Sequence, residues 1–355
     1  MAKPFVSVLI DTYNHERFVE KAIKSVLAQD FPADEREILV VDDGSTDRTP
    51  EIIRKFEPHV RVFRKVNGGQ ASAFNVGIPE CRGGIIAFLD GDDWWAPGKL
   101  KRVTEVLNSE PSVGLLGHGI HEAFVDGAIR TSVPERNERL QLNSLAASRI
   151  FRLRKSFLGT SRMILRTELA RRILPIPEAL VFEADEYVFT LGALMSELII
   201  LQDALTYYGI HGSNLYLSGG GESAGVRRKQ KVMETLASAL RKELAARGAS
   251  VEVVSCIVEI VQAEADQMRL MLDGGAPWET VRTENKIYEV LHWDAPRAQR
   301  VFRTVAMLPA ILLPPRWYYG GRRWLGSRAW YRRFRQKTLP VPKLARVAGP
   351  EEFKA

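Results

Sequence analysis

Along the first third of the chain, short apolar runs alternate with stretches of helical spacing. Val6 to Ile10 has the length and composition of a strand, and Arg17 to Gln29 carries its apolar residues at helical spacing. Glu37 to Val41 is a second strand pattern, ending in Asp42-Asp43-Gly44-Ser45. Thr49-Pro50 offers an N-cap and a first helical residue for a helix reaching Phe56. Val60 to Val66 then reads as a strand, Ala71 to Ile78 as a helix, Gly84 to Leu89 as a strand, and Pro97 to Asn108 as a helix. Apolar strands that each feed a helix signal a parallel sheet covered on both faces and wound by right-handed crossovers. The pattern predicts an α/β, doubly wound, mostly parallel sheet flanked by helices.

After Val113 to Gly117 the alternation loosens. Ser161 to Arg166 predicts a strand, Glu186 to Met195 a helix, and Leu198 to Leu201 and Leu205 to Ile210 two short strands. From Gly225 to Leu272 the chain is helical with one polar face. The expected organisation is an α/β domain over 1–218, a helical C-terminal extension over 219–300, and a basic aromatic tail over 301–355, with Gly219-Gly220-Gly221 as a flexible hinge.

Composition sets limits on this picture without changing it. With 45% hydrophobic and 26% charged residues among 355, the chain is globular and not disordered as a whole. Cys81 and Cys256 make neither a metal-ligand pair nor a disulfide framework, which points to a reducing compartment. Met1-Ala2-Lys3-Pro4 leads straight into a strand pattern without the sequence of a signal peptide, so a cytoplasmic location is expected. Charge is uneven: ten Lys and Arg and no acid lie between Arg316 and Arg346, more than the whole net charge of +7, so the rest of the chain is net acidic.

The chemistry concentrates in three loops that leave the carboxyl ends of predicted strands: Asp11-Thr12-Tyr13-Asn14, Asp42-Asp43-Gly44-Ser45-Thr46-Asp47 and Asp90-Gly91-Asp92-Asp93. Any one of them is explained as well by an acidic turn. In a parallel sheet, however, such loops converge on one edge, where open α/β sheets bind ligands. An acidic edge repels bare phosphate, so it accepts a nucleotide only through a divalent cation, Mg²⁺ or Mn²⁺, and through the neutral base and ribose. Neither GxGxxG after the first strand nor GxxxxGK[ST] is present.

Val6-Ser7-Val8-Leu9-Ile10 with Tyr13-Asn14, Val40-Val41-Asp42-Asp43-Gly44-Ser45-Thr46-Asp47, Asn75-Val76-Gly77 and Phe88-Leu89-Asp90-Gly91-Asp92-Asp93 occur in this order. Downstream follow Glu183-Ala184-Asp185-Glu186-Tyr187 and the stretch from Leu205 through His211 to Asn214. Together these segments resemble the family 2 glycosyltransferases of GT-A fold, over residues 4–216. The resemblance implies inverting transfer of a sugar from a nucleotide-diphosphate sugar, with a UDP-sugar favoured, to a saccharide or lipid-linked acceptor hydroxyl in polysaccharide or glycolipid synthesis. It places Asp42 and Asp43 at the nucleobase and ribose with Thr12 and Tyr13 beside the base. It also places Asp90 and Asp92 as a DxD element bridging ribose and metal, with Asp93 next to them, and His211 near the metal or diphosphate. The general base falls on Asp185, with Glu186 and Glu183 as competitors. A base there must reach the acceptor hydroxyl on the face opposite the leaving group.

Two departures remove positive charge near the diphosphate: Ala73 and Phe74, and Gly209, stand where similar enzymes often carry arginine. Several residues also have plain structural readings. Asn75 and Gly77 suit a helix cap, Trp94 and Trp95 suit core packing as well as sugar stacking, and His59, His118 and His121 lack partners at ligand spacing.

In the tail, the apolar run Val305 to Pro315 is broken by proline and too short to span a bilayer, which needs about 20 residues. Aromatic residues interleaved with arginines follow it. This composition leaves open an anionic membrane surface, packing on the chain's own domain, or nucleic acid, the last being the least expected. The first reading adds peripheral attachment at the inner face of the cell membrane. Against the enzyme stands the alternative of a non-catalytic nucleotide-sugar binding protein.

Overall fold

In the computed structural model, which describes residues 6–211 and 223–328, the sheet grows outward from its first strand. Strand β1 (Val6–Thr12) is buried along almost its whole length and pairs in parallel with β2 (Arg36–Asp42), which pairs in parallel with β3 (Arg61–Arg64). On its other side β1 pairs in parallel with β4 (Ile85–Asp90). Helices Val19–Leu27, Thr49–Arg54, Gln70–Glu80 and Lys99–Ser109 cover this half, each within a few residues of its predicted place.

The second half mixes directions. Strands β5 (Trp94–Trp95), β6 (Val113–Phe124), β7 (Ile129–Ser132), β8 (Glu138–Leu140), β9 (Ile164–Arg166) and β10 (Glu197–Ile210) complete a ten-stranded sheet of order β3-β2-β1-β4-β9-β6-β10-β5, with β7 on β6 and β8 on β10. β9 runs antiparallel to both β4 and β6, and β5 antiparallel to β10. The two strands expected between Leu198 and Ile210 are one strand whose register slips between Leu201 and Thr206, so Gln202-Asp203 marks an irregularity rather than a break. Ser161 to Arg166 is only half strand, because Thr160–Arg162 forms a 3₁₀ turn ahead of β9. Helix Leu145–Arg154 was not foreseen; its arginines hid the period, and the Ser144 side chain caps it by accepting from the Ala147 amide.

Alternate side chains of the central strands feed two cores. Val8, Ile10, Val40, Ala87 and Leu89 pack with helices Val19–Leu27 and Lys99–Ser109. Leu9, Leu39, Val41, Ile86 and Phe88 pack on the opposite face with helices Gln70–Glu80 and Ala184–Met195. The helical hairpin Ser223–Ala246 and Val251–Asp273 joins this second core: Leu236, Leu240, Leu244, Ile257 and Val261 are fully buried in the same cluster as Leu115, Phe151 and Leu191. Two residues read as a cap are accounted for here. Asn75 donates from Nδ2 to Ile176 O and accepts the Ile176 amide, both at 2.8 Å, and a side chain on Gly77 would collide with Leu9. The expected hinge at 219–221, the downstream Gly212 to Asn214, Met1 to Pro4 and the tail beyond Arg328 lie outside the described residues.

Because hairpin and sheet share one core, Leu240→Ala should lower stability by about 3 kcal/mol through loss of burial and an unfilled cavity. Far-ultraviolet circular dichroism and tryptophan fluorescence should shift together in a denaturant titration. A transition in which only the helical signal moves would show that the hairpin is held separately.

Candidate active site

Register brings the acids together. Asp11 stands opposite Asp90 across β1 and β4, and Thr12 opposite Asp42 across β1 and β2, so all three acidic loops meet at one edge of the sheet. Burial pushes the Asp11 carboxyl up to about 8, helped by the charges of Asp92, Asp185 and Asp43. Asp90 is pushed well above the ordinary carboxylate range by burial and by Asp11, Asp93 and Asp92. Asp93, raised to about 7 by burial and Asp92, accepts the Gly209 amide at 2.9 Å. Asp92 is the exception. Burial works against its charge too, but His211, whose Nε2 lies 3.2 Å from Asp92 Oδ2, and His15, with Nε2 at 3.9 Å, outweigh it and hold Asp92 below the usual range.

The base candidates lie in three settings on one helix start. Asp185 occupies the first turn of helix Ala184–Met195. Its Oδ2 accepts from the Thr160 amide and hydroxyl at 3.0 and 3.2 Å, and its Oδ1 from the Glu186 amide at 2.8 Å. Burial raises its pKa, and the charge of Glu186 adds to the rise. Glu186 is buried against Arg152 and Lys155, which outweigh burial and hold it down to about 2. Glu264, from the helical hairpin, completes that group at 3.4 Å from Arg152 and 3.6 Å from Lys155. Glu183, in the left-handed region at φ 61°, is raised to about 7 by burial, Glu186 and Asp185, with Lys229 3.8 Å away.

The sequence reading missed the turn Gly159-Thr160-Ser161-Arg162, which links the two groups of acids. Thr160 holds Asp185, while Ser161 Oγ accepts the Asp90 amide at 3.0 Å. Buried Lys99 anchors the turn by donating to Ser161 O at 2.7 Å and to Thr206 Oγ1 at 3.1 Å. Asp11 and His15 also went unassigned. The signal for Asp11 was its place at the end of the first strand; for the turn there was none, since its contacts are all distant in sequence.

At the end of β2, Asp42 is buried and accepts the Ser45 amide at 2.9 Å, with Arg64 Nε 3.4 Å from its other oxygen. Asp43 accepts Lys65 Nζ at 2.5 Å, Asn67 Nδ2 at 3.1 Å and the amides of Gly68 and Gly69 at 3.0 and 2.7 Å, so its carboxylate folds the loop that precedes helix Gln70–Glu80. Gly69 has φ 84°, and a side chain there would run into the Val181 backbone. Thr12 is buried beside His15, their side chains 3.2 Å apart, and Tyr13 stands exposed at the rim. Trp94 has Lys21 over its ring and Tyr207 stacked on it, and Trp95 is buried beneath Lys99. His118 is a core histidine, with Nδ1 2.8 Å from Gly119 O and its pKa pushed well down by burial.

Of the expected metal ligands, Asp92 and His211 are brought together, whereas Asp90 turns one oxygen toward Ser161 Oγ at 3.5 Å. Among the described residues no three His, Cys, Asp or Glu side chains are gathered closely enough to hold an ion as they stand. The donor chemistry nevertheless fits a divalent cation. Oxygen and imidazole donors meet at Asp92 and His211, and Asp11 Oδ1 is buried without a partner within the same crowd of acids.

The family model described as Glycosyl transferase family 2 matches residues 7–172. The uncharacterized glycosyltransferase alr2836 of Nostoc sp. is 33% identical over 233 residues, covering 64% of this chain and 71% of that protein. Among solved structures, residues 1–349 of TarS from S. aureus superpose with a TM-score of 0.54 at 24% identity, covering 81% of each chain, and the same protein in complex with UDP gives 0.50 at 22%. The mannosyltransferase PcManGT from Pyrobaculum calidifontis, solved with GDP-Man and Mn²⁺, gives 0.50 at 20%, covering 88% of this chain and 87% of that one. At these identities the structures establish the GT-A fold.

Glu186 supplies a pH-dependent part of the stability. Its folded-state pKa of about 2 lies below the ordinary 4.5, so the contribution is complete above pH 4.5 and lost as pH falls through about 2. Glu186→Gln should cost about 3 kcal/mol at neutral pH by leaving Arg152 and Lys155 undercompensated. Its unfolding free energy should fall less steeply than that of the parent chain between those two pH values.

Proposed function

Because this chain belongs to glycosyl transferase family 2, we propose that its acidic edge is the site of an inverting transfer from a nucleoside-diphosphate sugar to an acceptor hydroxyl. The observation that carries the reading is the meeting of Asp11, Asp90, Asp92 and Asp93 with Asp185 at one buried edge, with only Asp92 held in its charged form by histidine. The acceptor oxygen attacks the anomeric carbon and gives its proton to Asp185. The bond from that carbon to the diphosphate breaks, and its electrons pass to the departing phosphate oxygen. A raised pKa suits Asp185 to receive a proton, whereas Glu186 is committed to Arg152 and Lys155. Asp42, Asp43, Thr12 and Tyr13 border the place of base and ribose. A Mg²⁺ or Mn²⁺ held by Asp92 and His211, with Asp90 beside them, would offset the charge of the leaving diphosphate. The fold shared with TarS, solved with UDP, favours a UDP-sugar as donor; PcManGT, solved with GDP-Man and Mn²⁺, makes a GDP-sugar the next choice. Polysaccharide or glycolipid synthesis is the setting in which such a transfer would serve.

The chain should release nucleoside diphosphate from at least one nucleotide sugar in the presence of Mn²⁺. Asp185→Asn should lower that rate by about 10²- to 10⁴-fold while nucleotide binding persists. Asp92→Asn should weaken Mn²⁺ binding as measured by calorimetry. Tight donor binding without release in the parent chain would instead support a non-catalytic binding protein.

For the acceptor we propose a saccharide or lipid-linked hydroxyl met at the inner face of the cell membrane, where the C-terminal helices would rest. Among the described residues no helix is long and apolar enough to cross a membrane. In helices Leu308–Leu312 and Pro315–Ser327, Ala310, Tyr318 and Tyr319 are buried against Leu270, and Met307 joins them. Self-packing therefore accounts for one face. The other presents Leu308, Ile311, Leu312, Trp317 and Trp324 to solvent, with Leu312 78% and Trp317 72% exposed. Ala295 to Pro350 contains no acid. Apolar and aromatic side chains interleaved with arginine suit an anionic headgroup layer. The chain should co-sediment with vesicles of phosphatidylglycerol and phosphatidylcholine but not with phosphatidylcholine alone. Leu312→Asp with Trp317→Ala should cut the bound fraction about tenfold. An unchanged soluble fraction on anionic vesicles overturns the proposal.

A further inference from the structure

The positions at which the sequence lacks arginine are closed to one. Ala73 and Phe74 are buried in the core beneath the site. At Gly209 any side chain would collide with the Asp92 carbonyl, and the Gly209 amide is engaged by Asp93. Positive charge for a diphosphate must reach the acidic edge from another element. Lys99 is unavailable, because its ammonium is spent beneath the site on Ser161 O and Thr206.

Arg162 ends the turn that holds the two groups of acids, two residues after Thr160 grips Asp185 and one after Ser161 grips Asp90. Its guanidinium lies 5.9 Å from the centre of the Tyr208 ring. Among the described residues it forms no ion pair, and its buried Nε has no hydrogen-bond partner. A buried donor left in that condition is costly unless a ligand completes it. The space it occupies exists because residue 159 is glycine: a β-carbon there would overlap the Arg162 guanidinium. Its charge is also felt at both Asp93 and Asp185, where it opposes the rise caused by burial.

We propose that Arg162 grips the diphosphate of the donor. The proposal rests on the donor reading above and adds to it the residue that takes the place of the missing arginines. A guanidinium presents a planar fork of N–H donors that matches phosphate oxygens, and its charge does not titrate away. Placed at the leaving group, it counters the negative charge that grows on the phosphate oxygen as the sugar bond breaks.

Calorimetry with UDP and uridine, and with GDP and guanosine, each in the presence of Mn²⁺, tests this without turnover. Arg162→Ala should weaken binding of the preferred diphosphate about 10- to 100-fold while changing that of its nucleoside less than about twofold. Arg162→Lys should recover part of the loss. Gly159→Ala, which keeps the arginine but displaces its head group, should reproduce the same selective loss. Equal changes for diphosphate and nucleoside, or none for either, overturn the role of Arg162. They would mark it as a counter-charge to Asp93 and Asp185 only. If the parent chain binds neither diphosphate, the donor reading itself falls, and this proposal with it.

Discussion

Like charge held at one sheet edge is the constraint around which the rest of this molecule is arranged. Parallel register sets Asp11 against Asp90, and the loop that follows adds Asp92 and Asp93 within reach of Asp185. Burial favours the protonated form of a carboxyl, and Asp11, Asp90 and Asp93 are all pushed up by it and by their acidic neighbours. The surroundings keep them in place at that cost. Ser161 and Thr160 fix Asp90 and Asp185 through one short turn, the Gly209 amide fixes Asp93, and His211 meets Asp92. Mutual repulsion is thus one of the causes that raise Asp11, Asp90 and Asp93, and a positive group placed among them opposes it.

The helical hairpin, for which the family resemblance says little, proves to be part of the same arrangement. Its apolar residues complete the core behind helix Ala184–Met195. Its Glu264 and Lys229 reach the ionic group around Glu186 and Glu183. Packing and charge thus both bear on the start of the helix that carries Asp185. Expected as a helical extension beyond a hinge, this part of the chain packs into the same core as helix Ala184–Met195.

The sequence made the first half of the fold readable because each element there carries one unambiguous period. The strand from Val6, the strand ending at Asp42 and the strand ending at Asp90 are continuous apolar runs, and their order alone implies a common edge. Legibility failed where tertiary contact overrides local pattern. Gln202-Asp203 looked like a gap yet lies within one strand, and Leu145–Arg154 carries an arginine, Arg152, whose burial depends on Glu186 far along the chain. Among the site residues, the acids announced themselves by clustering in sequence. The turn at 159–162 carried no comparable mark, because Thr160, Ser161 and Arg162 acquire meaning only through Asp185, Asp90 and the space left by Gly159.

Asp185 and Glu186 show how finely such a site separates similar groups. They are consecutive on one helix turn, and burial disfavours the charge of both. Glu186 remains ionised because Lys155 and Arg152 face it, and those two cations are themselves shared with Glu264. Its retained charge is one of the causes that lift Asp185, while hydrogen bonds from the Thr160 and Glu186 amides limit the lift, and the Thr160 hydroxyl helps to aim the carboxylate. One carboxylate is thereby kept as a fixed charge and its neighbour as a group able to exchange a proton. Two acids with identical surroundings could not divide the work in this way.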